Sequence, residues 1–225
     1  IDEYKGDTNR ETYQTIIADP VARKPLEILP DRKKETVKEY LRKYGGKVEV
    51  VVMDMSHSFK AAVDQALGRP IVVADRFHFC RYIYWALERV RRHVQKEFSD
   101  YDRKKCKRMK HVFYKRNADL KDNQRWYLNR YLKMSDYLRT AYELKEAYCA
   151  WFDEAKAAGD SDLSMTRKCL HTFYELVEAS GVEEFKKAIG TFQNWQKEIM
   201  NSFAFGLNNG YIEVINNQTK VIKRN

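Results

Sequence analysis

Apolar residues alternate or cluster in short β-branched runs over the first third of the chain, then recur at helical spacing over the rest. Val48, Val50, Val51 and Val52 in "KVEVVVMD" predict a buried strand, because β-branched side chains suit a packed, pleated surface. Upstream, "IDEYKG" and "ETYQTIIAD" predict a hairpin and "KPLEILP" a short third strand. "DRKKETVKEYLRKYGG" predicts a helix with Val37, Tyr40, Leu41 and Tyr44 on one face, ended by Gly45 and Gly46. "SFKAAVDQALG" predicts a second helix and "PIVVADRFH" a fifth strand. Three strands, helix, strand, helix, strand is the order of a ribonuclease-H-like core, and a parallel crossover between the last two strands should be right-handed.

From about Phe79 to Met200 the strand pattern disappears. "RYIYWALERVRRHVQKEF", "DNQRWYLNRYLKMSDYLRTAYELKEAYCAWFDEAKAAG", "DLSMTRKCLHTFYELVEAS" and "VEEFKKAIGTFQNWQKEIMNSF" carry aromatic and aliphatic residues at helical spacing, which reads as core. "YIEVINNQTKVIKR" predicts a last helix. It would place Glu213, Asn217, Lys220 and Arg224 on one face, and Ile212, Ile215, Thr219 and Ile222 on another. The expected fold class is α/β, a ribonuclease-H-like mixed sheet interrupted by a large all-helical insertion before the last helix. The expected parts are 1–98 for the first portion of the core, 99–200 for the insertion and 201–225 for the helix that completes the core.

Composition narrows the class. With 225 residues, 44% hydrophobic and 33% charged, the chain can bury a full core and is not a disordered segment. No apolar run is long enough to cross a bilayer and no secretory region opens the sequence, so a cytoplasmic protein with no membrane partner is expected. Cysteines at 80, 106, 149 and 169 form no CxxC pair, which fits a reducing compartment better than a disulfide framework. The first residues read as the start of a strand and the last as a helix cut short, so a fragment of a larger protein is expected.

The net charge of +10 is concentrated. Between Arg76 and Arg116 stand fourteen Lys and Arg against four Asp and Glu, and the remainder is neutral. Aromatic residues interleave with "RVRRH" and "RKKCKRMK". That combination suits a phosphate backbone, whereas a single charge run is ordinarily a solvated face. Arg103, Lys104, Lys105, Lys107 and Arg108 are the candidate DNA contacts here. Apolar residues are sparse between Ser99 and Lys110, so this run is expected on a loop or helix end.

Candidate chemistry begins with Asp54, an aspartate ending a strand at the rim where α/β folds place their sites. A turn or helix cap would equally account for it. Asp75, after "VVA", is its rival. Its strand is expected to lie farther from the first, which places Asp75 in a supporting position. His78 and Cys80 lack two further ligands at zinc spacing, so His78 reads as a core or hydrogen-bonding group beside the acids. Glu3 points away from Asp2, since adjacent strand residues face opposite sides. Asp19, before Pro20, reads as a turn residue.

"IDEYKG", "VVMDMSHSFKAAV", "VVADRFHF" and "NNGYIEVINNQTKVIKR", in this order, resemble the DDE transposases of the ISL-three insertion-sequence group. The resemblance implies a ribonuclease-H-like catalytic domain with acids on the first strand, the fourth strand and the final helix. Here these are Asp2, Asp54 and Glu213. It also implies two Mg²⁺ ions, replaceable by Mn²⁺, for in-line attack on phosphorus. Asp75 and His78 would support the ligands, while Asn217, Lys220 and Arg224 would contact DNA phosphates. The implied partner is double-stranded DNA, as element ends and target, within a homo-oligomeric assembly on the bacterial nucleoid. The alternatives are a non-catalytic basic DNA-binding or assembly fragment of the same fold, and a structure-specific nuclease.

Overall fold

The computed structural model describes residues 1–4, 13–212 and 214–215 of the chain. They form a mixed α/β structure, predominantly helical, with two small sheets. Strands β1 (Asp2–Tyr4), β2 (Gln14–Asp19) and β3 (Lys24–Leu29) make an antiparallel sheet in that order. Asp2 pairs with Ile16, and a register irregularity falls between Ile17 and Ala18. Asp19 makes the turn out of β2, its Oδ1 accepting from the Val21 and Ala22 amides at 2.9 Å. Helix α1 (Lys34–Tyr44) follows and buries Val37 and Leu41. Tyr44, on the expected apolar face, is instead exposed. Gly45 closes the helix, and a Cβ there would stand 2.5 Å from the Leu41 carbonyl oxygen.

Strand β4 (Val50–Met53), helix α2 (His57–Leu67) and strand β5 (Ile71–Ala74) form a βαβ unit with β4 and β5 parallel. Val48 lies before β4 and is exposed, so the buried run is Val51–Met53. Ser56 caps α2 by accepting from the Phe59 amide, and Gly68 ends it at φ 68°, a left-handed conformation that suits glycine. The two sheets meet where the Ile1 nitrogen donates to the Val52 carbonyl at 2.7 Å, which brings β1 beside β4.

The fifth strand is shorter than its sequence suggests. The Asp75 amide still donates to the Met53 carbonyl at 2.8 Å, but helix α3 (Arg76–Val94) starts at the next residue. The Asp75 carbonyl accepts from the His78 amide, so "DRFH" opens a helix rather than extending a strand.

The chain divides into two compact units, 1–79 with 195–225, and 80–194. In the first, helix α10 (Gln196–Phe205) is fastened to β5 and to the start of α3. Asn201 Nδ2 donates to the Val72 carbonyl at 2.7 Å, and an Arg76 guanidinium nitrogen to the Ser202 carbonyl at 2.6 Å. Lys60 of α2 pairs with the nearly buried Glu198 at 2.7 Å and stands over the Trp195 ring. Residues 210–212 and 214–215 are helical, and Ile212 and Ile215 pack on Tyr4 and Ile16 of the β1–β2 hairpin.

The second unit is helical: the remainder of α3, then α4 (Asp100–Arg108), α5 (Lys110–Tyr114), α6 (Asp122–Met134), α7 (Asp136–Ala158), α8 (Leu163–Ser180) and α9 (Glu183–Asn194). Tyr148 is central to its core and contacts the rings of Trp151, Phe152, Phe173 and Phe192. Two of the expected long helices are broken, at Ser135, which caps α7 through the Leu138 amide, and at Trp195. The basic run 103–108 lies within helix α4 and includes its last turn, so the helix-end expectation holds and the loop does not. Ser99 caps α4 and Asp100 and Asp102 occupy its first turn, which favours the helix despite its few apolar residues. Among the described residues no helix is long and apolar enough to cross a membrane.

Candidate metal centre

The β1–β4 junction determines where the first two acids stand. Asp2 opens β1 and is nearly buried, with Oδ1 accepting from the Glu3 amide at 2.7 Å. Glu3 faces the other way and makes a two-oxygen contact with Arg32 at 2.9 Å. Asp54 directly follows β4, two residues beyond the carbonyl that Ile1 engages. One ligand atom each from Asp2, Asp54 and His78 falls within 4.8 Å of the others. Asp75 is not in this group.

Asp75 holds His78 instead. It is 2% exposed, with Oδ2 at 3.0 Å from His78 Nδ1 and Oδ1 accepting from the Asn209 amide at 3.0 Å. Engagement of Nδ1 leaves Nε2 as the ring nitrogen free to serve the acids, the arrangement in which a carboxylate orients a ligand or hydrogen-bonding histidine. Asn209 also donates through Nδ2 to the Ile1 carbonyl at 3.1 Å, tying the segment before the last helix to β1. No signal in the sequence marks Asn209 for this task. In "NNG" it reads as a turn, and only its 2% exposure separates it from one.

Electrostatics follow from this burial. Burial pushes the Asp54 carboxyl up to about 6, and the neighbouring Asp2 and Glu3 charges push the same way against the opposing pull of His78. Burial likewise raises Asp2, opposed chiefly by His78. For His78 burial works downward, but the Asp75 hydrogen bond and the surrounding carboxylates outweigh it and the ring is raised overall. The site therefore concentrates negative charge that one imidazolium only partly offsets.

Asp54 Oδ1 is buried and has no hydrogen-bond partner among the described residues. A buried carboxylate oxygen without a donor carries a desolvation penalty, which a cation would relieve. The donor set fits a divalent cation: two carboxylates brought together from separate strands, one of them with an unengaged oxygen, beside an oriented imidazole. It does not suit structural zinc, because Cys80 Sγ accepts instead from the Tyr148 hydroxyl at 3.0 Å.

The remaining candidates separate. Arg103 pairs with Asp100 at 2.7 Å and Lys105 stands over the Tyr127 ring, whereas Lys104, Lys107 and Arg108 are exposed. Glu213, Asn217, Lys220 and Arg224 lie outside the described residues.

The family model for DDE transposases of the ISL3 group, described as "Transposase", matches residues 1–225. The transposase for insertion sequence element IS1001 of Bordetella parapertussis is 26% identical over 220 residues, covering 94% of this chain and 52% of that protein. The chain thus spans about half the length of that relative. No solved structure matches.

Proposed function

The chain belongs to the ISL3 group of DDE transposases, and on that premise we propose that it is the catalytic core for metal-dependent DNA strand cleavage and strand transfer at the ends of a mobile element. The observation that carries this reading is the unpartnered, buried Asp54 Oδ1 within one cluster with Asp2 and His78. Sheet topology supports a ribonuclease-H-like arrangement, since an antiparallel β1–β3 hairpin sheet joins a parallel β4–β5 pair at Ile1 and Val52. The helical unit at 80–194 then reads as the insertion, between β5 and the last helix of the core.

Asp2 and Asp54 would hold the divalent ions, Mg²⁺ or Mn²⁺, with Glu213 as the third carboxylate. Bound there, the ions would lower the pKa of a water or 3′-hydroxyl nucleophile and neutralise charge on the leaving oxygen. The chain's own residues have distinct tasks. Asp54, its carboxyl raised to about 6, is largely a carboxylate at neutral pH and would offer both oxygens to a cation. Asp75 fixes the His78 ring through Nδ1, and Asn209 fixes Asp75 and the Ile1 carbonyl together. His78 Nε2 is then available to a phosphate oxygen or a water at the edge of the cluster. Asn217, Lys220 and Arg224 would hold DNA phosphates after Glu213.

The test is strand cleavage of the element's end DNA by the full-length protein with Mg²⁺ or Mn²⁺. Asp2→Asn, Asp54→Asn and Glu213→Gln should each abolish product while leaving the circular dichroism spectrum unchanged. Normal cleavage by Asp54→Asn alongside loss in Asp75→Asn would exchange the roles assigned to these two residues.

A further inference from the structure

Arg89, Arg92, His93 and Lys96 stand at i, i+3, i+4 and i+7, so the end of α3 and the turn that continues it carry them on one face. All four are exposed or half-buried at the surface. With Gln95 and Glu184, the latter from the first turn of α9, they line a pocket of about 430 Å³ wholly inside the helical unit. Seven residues of helix span about 10 Å, which leaves room for more than one phosphate group along the face.

The charges in this pocket are unspent. Several surface arginines of the same unit are paired, Arg103 with Asp100, Arg116 with Asp153, Arg130 with Asp102, and Arg139 with Asp136. Among the described residues no ion pair engages Arg89, Arg92, His93 or Lys96. One nearby acid is ion-paired elsewhere, and the other is the single acid lining the pocket. Glu88 binds the buried Arg91 through both oxygens at 2.7 and 2.8 Å, and Glu184 accepts from the Tyr137 hydroxyl at 2.7 Å. The platform is also firm, because Arg91 reaches Gln95 at 2.7 Å and the buried Cys106 of α4 at 3.9 Å. Arg supplies planar donors that match phosphate oxygens in pairs.

We propose that Arg89, Arg92, His93 and Lys96 form a phosphate-binding pocket that grips the backbone of duplex DNA, independently of the acidic cluster and of the α4 run. This rests on the reading of the chain as a DNA-processing protein. An acidic protein surface is the competing occupant, and the salt dependence of DNA binding separates the two.

The experiment uses full-length protein and a fluorescent duplex of unrelated sequence, with anisotropy titrations across a range of salt concentrations. Replacing the four residues by Gln should reduce the magnitude of the log K against log salt slope by about 0.9 for each phosphate no longer neutralised. At 0.1 M salt that is about an eight-fold weaker affinity per phosphate, equal for all duplex sequences. Glu184→Gln keeps an oxygen for Tyr137 while removing the pocket's negative charge, and should tighten binding. Lys104→Gln with Lys107→Gln and Arg108→Gln serves as a comparison on α4. An unchanged slope in the fourfold variant, with Glu184→Gln neutral, would overturn the pocket while leaving the enzyme reading intact. Failure of the unaltered protein to bind any duplex would instead overturn the reading on which the pocket rests.

Discussion

Replacing Asp54 by Asn should stabilise the metal-free protein at neutral pH. The carboxyl is raised from 3.8 to about 6 by burial and by the Asp2 and Glu3 charges. Ionising it in the folded state above pH 6 therefore carries a penalty of about 3 kcal/mol relative to the unfolded chain. For a folded-state pKa that is raised, this group's stabilisation is complete below about pH 4 and is lost as pH rises through about 6. Asn removes the charge but leaves an amide where Oδ1 had no partner, so the expected gain is smaller, about 1–2 kcal/mol at pH 7.5. At about 2–4 °C per kcal/mol in a chain of this size, the melting temperature should rise by roughly 2–8 °C. Thermal unfolding in EDTA at pH 4, 5, 6 and 7.5 is the assay. The advantage of the variant should shrink as pH falls and vanish near pH 4. With Mn²⁺ at about 100 times its Kd the order should reverse, because binding adds about 2.7 kcal/mol to the parent alone. A variant less stable than its parent in EDTA at pH 7.5, or a difference independent of pH, would refute the claim that Asp54 is a buried carboxylate awaiting a counter-charge.

Asp75→Asn should free the His78 ring, whose raised pKa should fall toward the ordinary value of about 6.5 in an NMR titration, and Mn²⁺ affinity by calorimetry should drop about 10–100-fold. Asn209→Ala removes the hydrogen bond to the Ile1 carbonyl while retaining the backbone bond to Asp75, and should lower the denaturant-derived stability by about 1–3 kcal/mol. Arg91→Ala leaves Glu88 and Gln95 without their buried guanidinium, and should destabilise by about 3–5 kcal/mol in the same assay.

The order of strands and helices in the first unit was legible because period-two and β-branched runs alternate there with helical patterns and Gly45 and Gly68 mark helix ends. The spacing of Ile212 and Ile215 marked an apolar face, but that this face packs on Tyr4 and Ile16 of the hairpin is a tertiary outcome. The end of β5 was not legible. Asp75 continues the ladder through its amide and starts α3 through its carbonyl, so strand and cap signals coincide on one residue. Ser135 supplied an overlooked cap signal inside a long periodic segment, and α4 was hidden because its stability comes from a cap, acidic first-turn residues and the Asp102–Arg130 pair rather than from an apolar stripe. Asp54 was visible as an aspartate ending a strand. His78 was expected beside the acids, but its place in the first turn of α3 was not, because the pattern there continued a strand. Asn209 has a local sequence that signals only a turn, and its burial is a tertiary outcome.

Anomalous scattering from crystals of the protein soaked in Mn²⁺ would show directly whether Asp2 and Asp54 hold a metal. A peak bounded by the carboxylates of Asp2 and Asp54 is expected, with oxygen distances of about 2.0–2.3 Å, and it should be lost in Asp54→Asn. Fully occupied Mn²⁺ elsewhere on the chain with none between Asp2 and Asp54 would contradict that expectation.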